Sequence, residues 1–335
     1  MRIAVDAMGG DQAPLEIVRG ALKAARREHG IEIVLVGDEP QIRKVLQDLE
    51  SKTKISIHHT PDWIRMDEPG AAAVKKKKQA SIVVCCELLK RGEVNAIVSA
   101  GNTSGVIGAC LLTLGRIPGI RRPALAVMFP TLTTPSLLLD LGATVDCKPE
   151  YLVQFGTMGA IYVEKVLGRP HPKVGIVNIG EEHTKGNALV KETYELLQHT
   201  ALNFVGSVEP KQLINGHVDV AVADGFSGNL MLKMGEAMGE WIMKTVKTRI
   251  GWNPVYLGAA AALTPVLKSL RKHLDHSEYG GAPLLGVAGV VIKSHGRAKA
   301  LTIRNAIRVA RKMAESNTVD VIASTLNESP TPAES

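Results

Sequence analysis

Short apolar segments alternate along the chain with longer stretches whose apolar residues have helical spacing. The strand candidates are residues 3–6, 32–36, 96–99, 124–128, 137–141, 174–178 and 218–223. The helix candidates between them are residues 14–28, 41–49, 71–90, 149–166 and 188–197. Strands that alternate with helices in this way predict an α/β fold with a mostly parallel sheet covered by helices.

Residues 229–276 interrupt this alternation with a purely helical pattern, which predicts a helical protrusion. Apolar residues recur there at four-residue spacing and predict one long amphipathic helix: Leu230, Met234, Met238, Ile242, Val246 and Ile250. Gly251 supplies a helix end. Asn253-Pro254 and Thr264-Pro265 each place a capping residue before a proline, so two short helices are predicted to begin there.

The composition is that of a globular protein, with 45% hydrophobic and 22% charged residues in a chain of 335. No apolar stretch reaches the roughly 18 to 20 residues that cross a bilayer. The N-terminus reaches Asp6 before an apolar signal core can form, so we expect a cytoplasmic protein. We also expect one α/β domain over residues 1–326, including the protrusion, and a disordered tail at 327–335.

Charge and aromatic content limit the classes of binding partner that we expect, and cysteine spacing indicates the redox state of the thiols. The 40 Lys and Arg residues against 33 Asp and Glu give a net charge of +7, which suits an acidic protein, anionic lipid, phosphate compounds or nucleic acid. Aromatic residues make up only 4% of the chain and no zinc-finger spacing occurs, so we expect no nucleic-acid binding. The four cysteines form no CxxC pair and are predicted to be reduced and buried.

Glycine-rich loops are the candidate ligand sites. They are residues 6–11, 99–105, 224–229 and 278–283, and the first three directly follow predicted strands. Ligands of such sheets bind beyond the carboxyl ends of the strands, and the free N–H groups of a helix start favour an anion. Asn102, Thr103 and Ser104 add donors at such a start. The loops are either tight capped turns or parts of one anion site.

Lys185 and His295 each have two possible roles. Lys185, with Glu182 nearby, is either a second cation for a phosphate group or half of a surface ion pair. His295 either protonates a leaving group or has a structural role.

Several common site motifs are absent. The glycines match neither GxGxxG nor GxxxxGK[ST], and the 225–228 loop lacks the GxSxG spacing. The histidines at 58, 59 and 183 lack HExxH spacing. We therefore expect no dinucleotide cofactor and no metal ion.

Taken together, the loops resemble the bacterial acyl-acyl carrier protein:phosphate acyltransferases, the PlsX family, over nearly the whole chain. The matching segments, in chain order, are Val5-Asp6-Ala7-Met8-Gly9-Gly10-Asp11, Ser99-Ala100-Gly101-Asn102-Thr103, Asn178-Ile179-Gly180 with Glu182 and Lys185-Gly186, Asp224-Gly225-Phe226-Ser227-Gly228-Asn229, and Tyr279-Gly280-Gly281-Ala282. The family usually has Gly-Ala after Gly-Asn-Thr, so at Ser104 we expect the backbone N–H, rather than the side chain, to bind.

The resemblance implies a Rossmann-like three-layer fold related to phosphotransacetylases and isocitrate dehydrogenases, a homodimer, and a reaction that needs no cofactor. Inorganic phosphate attacks a long-chain acyl thioester on acyl carrier protein and forms acyl-phosphate for phospholipid synthesis. A membrane-bound glycerol-3-phosphate acyltransferase consumes this product, so peripheral membrane association is expected. Two alternatives are a short-chain phosphotransacetylase that uses coenzyme A thioesters and a non-catalytic acyl-phosphate-binding regulatory protein.

The resemblance also suggests roles for particular residues. The catalytic candidates are Asp224, Asn229 and His295, and the candidates for binding phosphate or substrate are Gly9, Gly10, Asn102, Thr103, Ser104, Lys185, Gly186, Ser227, Gly280 and Gly281. The candidates for docking the acidic carrier are Arg116, Arg121, Arg122 and the lysines at 75–78, although the lysine run also fits a solvated helix face.

The protrusion has two alternative partners. Residues 256–263 form an apolar tip, and Val266, Leu267, Leu270 and Leu274 continue it at helical spacing. Lys268, Arg271 and Lys272 lie off that stripe, where they can meet anionic headgroups. The stripe therefore contacts either the membrane or a dimer partner.

Overall fold

The structure, a computed structural model, describes residues 1–49, 53, 55–251, 254–274 and 280–328. Its strands are β1 (Arg2–Asp6), β2 (Glu32–Gly37), β3 (Ser56–His59), β4 (Ala96–Ser99), β5 (Ala124–Phe129), β6 (Ser136–Leu139), β7 (Val174–Val177), β8 (Phe204–Val208), β9 (Val220–Val222), β10 (Ala282–Leu285) and β11 (Val291–Lys293). Its helices are α1 (Leu15–Arg27), α2 (Glu39–Asp48), α3 (Gly70–Lys76), α4 (Ser81–Lys90), α5 (Thr103–Thr113), α6 (Pro149–Lys165), α7 (Ala188–Gln198), α8 (Pro210–Ile214), α9 (Gly225–Ile250), α10 (Pro254–Leu274), α11 (Ala300–Glu315) and α12 (Thr318–Glu328).

The strands form one sheet in the order β3-β2-β1-β4-β11-β10-β5-β6-β9-β7-β8. Most neighbours are parallel, but β10 runs antiparallel to β11 and β5, and β5 runs antiparallel to β6. Apolar clusters cover both faces of the sheet: Ile17, Phe155 and Ile303 belong to one, Val84 and Val106 to the other. The predicted α/β fold with a mostly parallel sheet in three layers is therefore confirmed.

Residues 71–90 were expected to form one helix but form α3 and α4. The break is caused by Ala80, which forms an isolated bridge with Asp62, while the N–H of Ser81 donates to the Asp62 carbonyl. The same break lets the Ser81 hydroxyl reach the buried carboxylate of Asp6 at 2.6 Å. Tertiary contacts therefore override the local helical pattern.

The region after α9 also differs from the expectation. The structure has one continuous helix, α10, with Pro265 in its interior. Thr264 does not cap a new helix, because its hydroxyl donates to the carbonyl of Ala260 one turn earlier, at 2.9 Å. The predicted end of α9 at Gly251 is confirmed, and this glycine has a φ of 51°.

Four strands were not predicted from the sequence: β3, β8, β10 and β11. β3 and β8 are the two edge strands of the sheet, where only one neighbour is bonded. Their sequences carry polar residues or glycine on both sides of the apolar ones, which hides the strand pattern. At the C-terminus, α12 reaches Glu328, and residues 329–335 of the expected tail lie outside the described residues.

Cysteines 85, 86 and 110 are buried thiols, as predicted, while Cys147 is only half-buried. Burial raises the pKa of the Cys85 thiol well above its usual value. No helix among the described residues is both long enough and apolar enough to cross a bilayer.

Candidate active site

A cavity of about 840 Å³ lies beyond the carboxyl ends of β4 and β11. Its lining has a polar end and an apolar wall. The polar end comprises Asp11, Asn102, Thr103, Ser104, Lys293, Ser294 and His295, and the wall comprises Ile107, Leu111, Leu125, Val127, Leu141 and Leu232. Ligand pockets of this size commonly pair a mostly apolar lining with a few convergent polar groups. The cavity therefore suits a molecule with a charged head and an apolar chain.

A buried carboxylate supports the polar end. Asp6, the last residue of β1, accepts hydrogen bonds from the hydroxyls of Ser81 and Ser99, each at 2.6 Å. The hydroxyl oxygen of Ser99 accepts in turn from the N–H of Gly101 at 3.0 Å. Burial raises the pKa of Asp6. The network joins β1, α4, β4 and the loop that leads into α5.

The first two glycines of the N-terminal loop pack against this network. A side chain at Gly9 would lie 2.5 Å from Asp6 Oδ2 and 2.7 Å from the Gly101 nitrogen, so only glycine fits there. Gly10 has a φ of 117° and approaches the carbonyl of Gly296. Neither glycine lines the cavity, and both bring the surrounding loops close together.

The side chain of Asn102 is engaged by the protein itself. Its Oδ1 accepts from the Gly105 N–H at 3.1 Å and from the Ser104 hydroxyl at 2.8 Å, so Asn102 caps α5. Its Nδ2 donates to the carbonyls of Met66 and Glu68. Three donors remain toward the cavity: the Thr103 hydroxyl and the N–H groups of Thr103 and Ser104. These two N–H groups lie in the first turn of the helix, where an N–H group has no intrahelical acceptor.

β11 delivers three consecutive polar residues to the same end of the cavity: Lys293, Ser294 and His295. The Nδ1 atom of His295 accepts from the Arg297 N–H at 3.1 Å. A neutral imidazole in that arrangement carries its proton on Nε2 and donates from that atom. Arg297 therefore orients the ring through its backbone.

The start of α9 forms the facing part of the lining. Asp224 caps this helix, and its Oδ1 accepts from the N–H groups of Phe226 and Ser227 at 3.0 and 2.9 Å. Asn229, one turn further, lines the cavity, whereas Asp224 and Ser227 do not.

A second buried carboxylate fixes the loop beneath α9. Asp140 accepts from four backbone N–H groups, those of Leu125, Leu141, Ala143 and Thr144. A side chain at Gly228 would collide with the Asp140 carbonyl, so this glycine allows the close contact. Burial raises the pKa of Asp140 to about 6. Asp140 is therefore a positioning residue for the cavity wall around Leu141.

The loop after β7 lies apart from the cavity lining. The ammonium of Lys185 pairs with Glu182 at 2.7 Å, and half of its side chain is exposed. Gly186 has a φ of 94°, and a side chain there would lie 2.5 Å from Asn178 Oδ1. Neither residue is among those that line the cavity.

The last predicted loop is only partly described, because Tyr279 lies outside the described residues. Gly280 packs against the backbone of Asn305, and Gly281 lines the cavity next to the carbonyl of Lys293. The structure thus brings together Asn102, Thr103, Ser104, Asn229, Gly281 and His295.

Sequence reasoning missed two residues of the polar end, Lys293 and Ser294. Their signal was a lysine at the end of an otherwise apolar strand, since a cation there enters either the core or a site. No group of three or more potential metal ligands occurs among the described residues.

Comparisons with known proteins agree with this geometry. Residues 1–321 match the family described as "Fatty acid synthesis protein". The chain is 49% identical to the Phosphate acyltransferase of Dictyoglomus turgidum, across 93% of this chain and 94% of that protein. It is 47% identical to the Phosphate acyltransferase of Desulforamulus reducens, across 97% of each.

A solved structure shows the shared fold. The phosphotransacetylase from Streptococcus pyogenes superposes with a TM-score of 0.64 at 16% identity, covering 94% of each chain. The sequence motifs, the full-length match and the identity of nearly one half lead to the same conclusion: this chain belongs to the phosphate acyltransferase family and is an acyltransferase enzyme.

Proposed function

We propose that this enzyme transfers a long-chain acyl group from acyl carrier protein to inorganic phosphate, as a step of phospholipid synthesis. The observation that carries the proposal is the two-part cavity. Its polar end offers the N–H groups of a helix start to an anion, and its apolar wall offers a surface to an acyl chain. The names of the relatives support phosphate as the acceptor.

The proposed reaction is a direct displacement. An oxygen of monohydrogen phosphate attacks the thioester carbonyl carbon and gives a tetrahedral oxyanion. The C–S bond then breaks, the carrier leaves as a thiol with the proton that phosphate brought, and the acyl group remains on the phosphate oxygen. Holding both reactants in one cavity supplies most of the catalysis, together with stabilisation of the oxyanion.

The residues of the cavity have distinct proposed roles. The N–H groups of Thr103 and Ser104 bind phosphate, and the amide of Asn229 faces the developing oxyanion. His295 donates a hydrogen bond from Nε2 to the leaving sulfur and keeps its own proton, since the sulfur takes the proton that phosphate brought. Asp224 acts through the helix it caps, because its Oδ1 accepts from two N–H groups of that helix and the residue does not line the cavity.

We further propose that the carrier docks at a second groove of about 780 Å³, which borders the cavity. Arg116, Arg121 and Arg122 line this groove, and Leu111 lines both groove and cavity. Arg122 also stacks over the ring of Tyr151 at 5.9 Å. A cationic rim suits an acidic carrier, and the shared residue offers a path for its thioester arm.

The protrusion is proposed to contact the membrane, where a membrane-bound acyltransferase would accept the product. Large apolar side chains are exposed along α9 and α10, among them Met234, Trp241, Val255, Leu257 and Leu263. An apolar patch of this extent marks an interaction surface. Homodimer packing is the alternative, and the basic residues 268, 271 and 272 have side chains outside the described part.

One assay tests the central proposal. The protein is incubated with palmitoyl carrier protein and phosphate, and acyl-phosphate and free carrier are measured. Palmitoyl-coenzyme A and acetyl-coenzyme A are compared as donors. Preference for acetyl-coenzyme A would favour a short-chain phosphotransacetylase, and acyl-phosphate binding without thiol release would favour a regulatory protein.

A further inference from the structure

Lys293 is a buried lysine that lines the candidate ligand cavity. It is only 7% exposed, yet it lines the polar end. Its ammonium donates to the carbonyl of Ser294, and within the described part of the chain it has no other hydrogen bond and no ion pair. An ammonium carries three donors. Two of them are therefore left for an acceptor that the described residues do not supply.

Ser294, the next residue, also carries a buried donor that the described residues leave unsatisfied. The hydroxyl of Ser294 is fully buried, lines the cavity and has no hydrogen-bond partner among the described residues. Buried polar atoms without a partner are rare in proteins and need an explanation. Adjacent unsatisfied donors on Lys293 and Ser294 point to one ligand that brings several acceptor oxygens.

The charges around Lys293 leave room for an anion. Asp6 and Asp11 attract its ammonium from the β1 side. The carboxylate oxygens of Asp6 are already bonded to the hydroxyls of Ser81 and Ser99. His295 follows on the same loop. On the α9 side of the cavity, the facing charges are Lys233 and Glu236, which pair with each other at 2.8 Å.

We propose that Lys293 and the hydroxyl of Ser294 hold the phosphate, together with the N–H groups of Thr103 and Ser104, and that Lys293 takes up a proton when phosphate binds. This inference rests on the function proposed above, since it specifies how the phosphate acceptor is held. Lys293 thereby becomes a catalytic residue that neutralises the nucleophile's charge and the charge of the transition state.

Burial supplies the reason for proton uptake. Desolvation lowers the pKa of Lys293 to about 8. A bound dianion favours the charged form and raises this pKa again. Above pH 8 a part of the free enzyme therefore holds neutral Lys293, whereas the complex holds the ammonium, so phosphate binding takes up a fraction of a proton. Free phosphate is almost fully dianionic in that pH range and contributes little.

The test is calorimetric titration of the full chain with inorganic phosphate at pH 8.5, in two buffers of different ionisation enthalpy. The wild-type protein is expected to take up a measurable fraction of a proton. Lys293→Met is expected to abolish the uptake and weaken phosphate binding at least about tenfold. Ser294→Ala is expected to weaken binding severalfold and keep the uptake. Lys165→Met is the matched control, since its ammonium is paired with Glu164, its side chain is partly exposed and it does not line the cavity.

The outcomes separate this proposal from the proposed function. Phosphate binding by wild-type protein without proton uptake would overturn the role of Lys293, and that result does not depend on whether a variant folds. Unchanged binding by folded Lys293→Met protein would do the same. Acyl transfer to phosphate in either case would leave the proposed function standing. Absence of both phosphate binding and acyl transfer in the wild-type protein would overturn the two together.

Discussion

The hydroxyl of Ser99 donates to Asp6 Oδ2 at 2.6 Å, which joins the ends of β1 and β4 across 93 positions of sequence. The same hydroxyl oxygen accepts from the Gly101 N–H. One serine therefore couples a buried carboxylate to the loop that begins α5. Because Thr103 and Ser104 follow directly, the placement of their N–H groups depends on this coupling.

Replacing Asp6 with Asn should destabilise the protein by about 1 to 3 kcal/mol, because an amide oxygen cannot satisfy both serine hydroxyls as a carboxylate does. Since burial raises the pKa of Asp6, the folded state holds the proton at higher pH than the unfolded state. The wild-type carboxyl thus adds stability as the pH falls toward 3.8 and loses it as the pH rises.

The excess stability of wild type over Asp6→Asn should therefore grow as the pH falls from 7 toward 3.8, as measured by urea unfolding. Asp67→Asn, on an exposed loop, is the control. A difference that shrinks on acidification would contradict the raised pKa.

Lys185 is predicted to be a second cation for phosphate. Lys185→Met should then raise the phosphate concentration for half-maximal activity by about tenfold, since a charge-assisted contact is lost. Glu182→Gln is the matched variant, because it frees the lysine from its 2.7 Å ion pair and should lower that concentration. If phosphate dependence is the same in both variants and in wild type, the pair has a surface role only.

The reaction is predicted to proceed without an acyl-enzyme. Folded Ser227→Ala protein should keep measurable turnover, because the Ser227 backbone N–H, rather than its hydroxyl, bonds to the Asp224 cap. Intact-mass measurement after mixing wild-type protein with palmitoyl carrier protein alone should show no added palmitoyl group. A stable adduct on Ser227 would refute direct attack by phosphate.

Reversing the charge of Arg121 and Arg122 to Glu should raise the Michaelis constant for acyl carrier protein by roughly tenfold and flatten its salt dependence, because rim charges act through screened, long-range attraction. Arg26 and Arg27, an adjacent exposed pair at the end of α1, provide a matched double reversal. Equal effects of the two reversals would indicate a response to net charge rather than docking at the arginine groove.

Replacing Leu257 and Leu263 with Glu should abolish sedimentation with anionic liposomes while dimer mass and activity in solution stay intact. Both side chains are about half exposed on α10, so the change need not disturb the core. Leu132→Glu with Val205→Glu changes two exposed apolar residues elsewhere. Retained liposome binding would exclude the tip as a membrane contact, and dissociation to monomers would assign it to dimer packing.

Local patterns predicted those parts of the molecule that depend on neighbouring residues. The helix start after β4 and the end of α9 at Gly251 follow from short-range chemistry, and the structure has both. The polar end of the cavity depends instead on the order of the strands in the sheet. Lys293 reaches the cavity because β11 inserts beside β4, and no pattern within residues 291–293 specifies that neighbour.

Contacts between residues that are distant in sequence show the same limit of prediction from local patterns. Asn102 looked like a phosphate ligand because it begins a helix, but its amide groups are used by Met66 and Glu68, which lie in a different loop. The split between α3 and α4 likewise depends on Asp62 and Asp6, far away in sequence. Contacts of this kind cannot be inferred from helical spacing.

Along helix α5, Thr103 and Leu111 are eight residues apart, which at 1.5 Å per residue gives an axial separation of roughly 12 Å. Thr103 at its start belongs to the polar end of the cavity, and Leu111 near its end borders the arginine groove. For a partner seated on the groove, as proposed above, this separation sets how far a flexible arm must extend before its tip meets the anion. A shorter arm would stop at the apolar wall, and no change in charge at the groove would compensate for the missing reach.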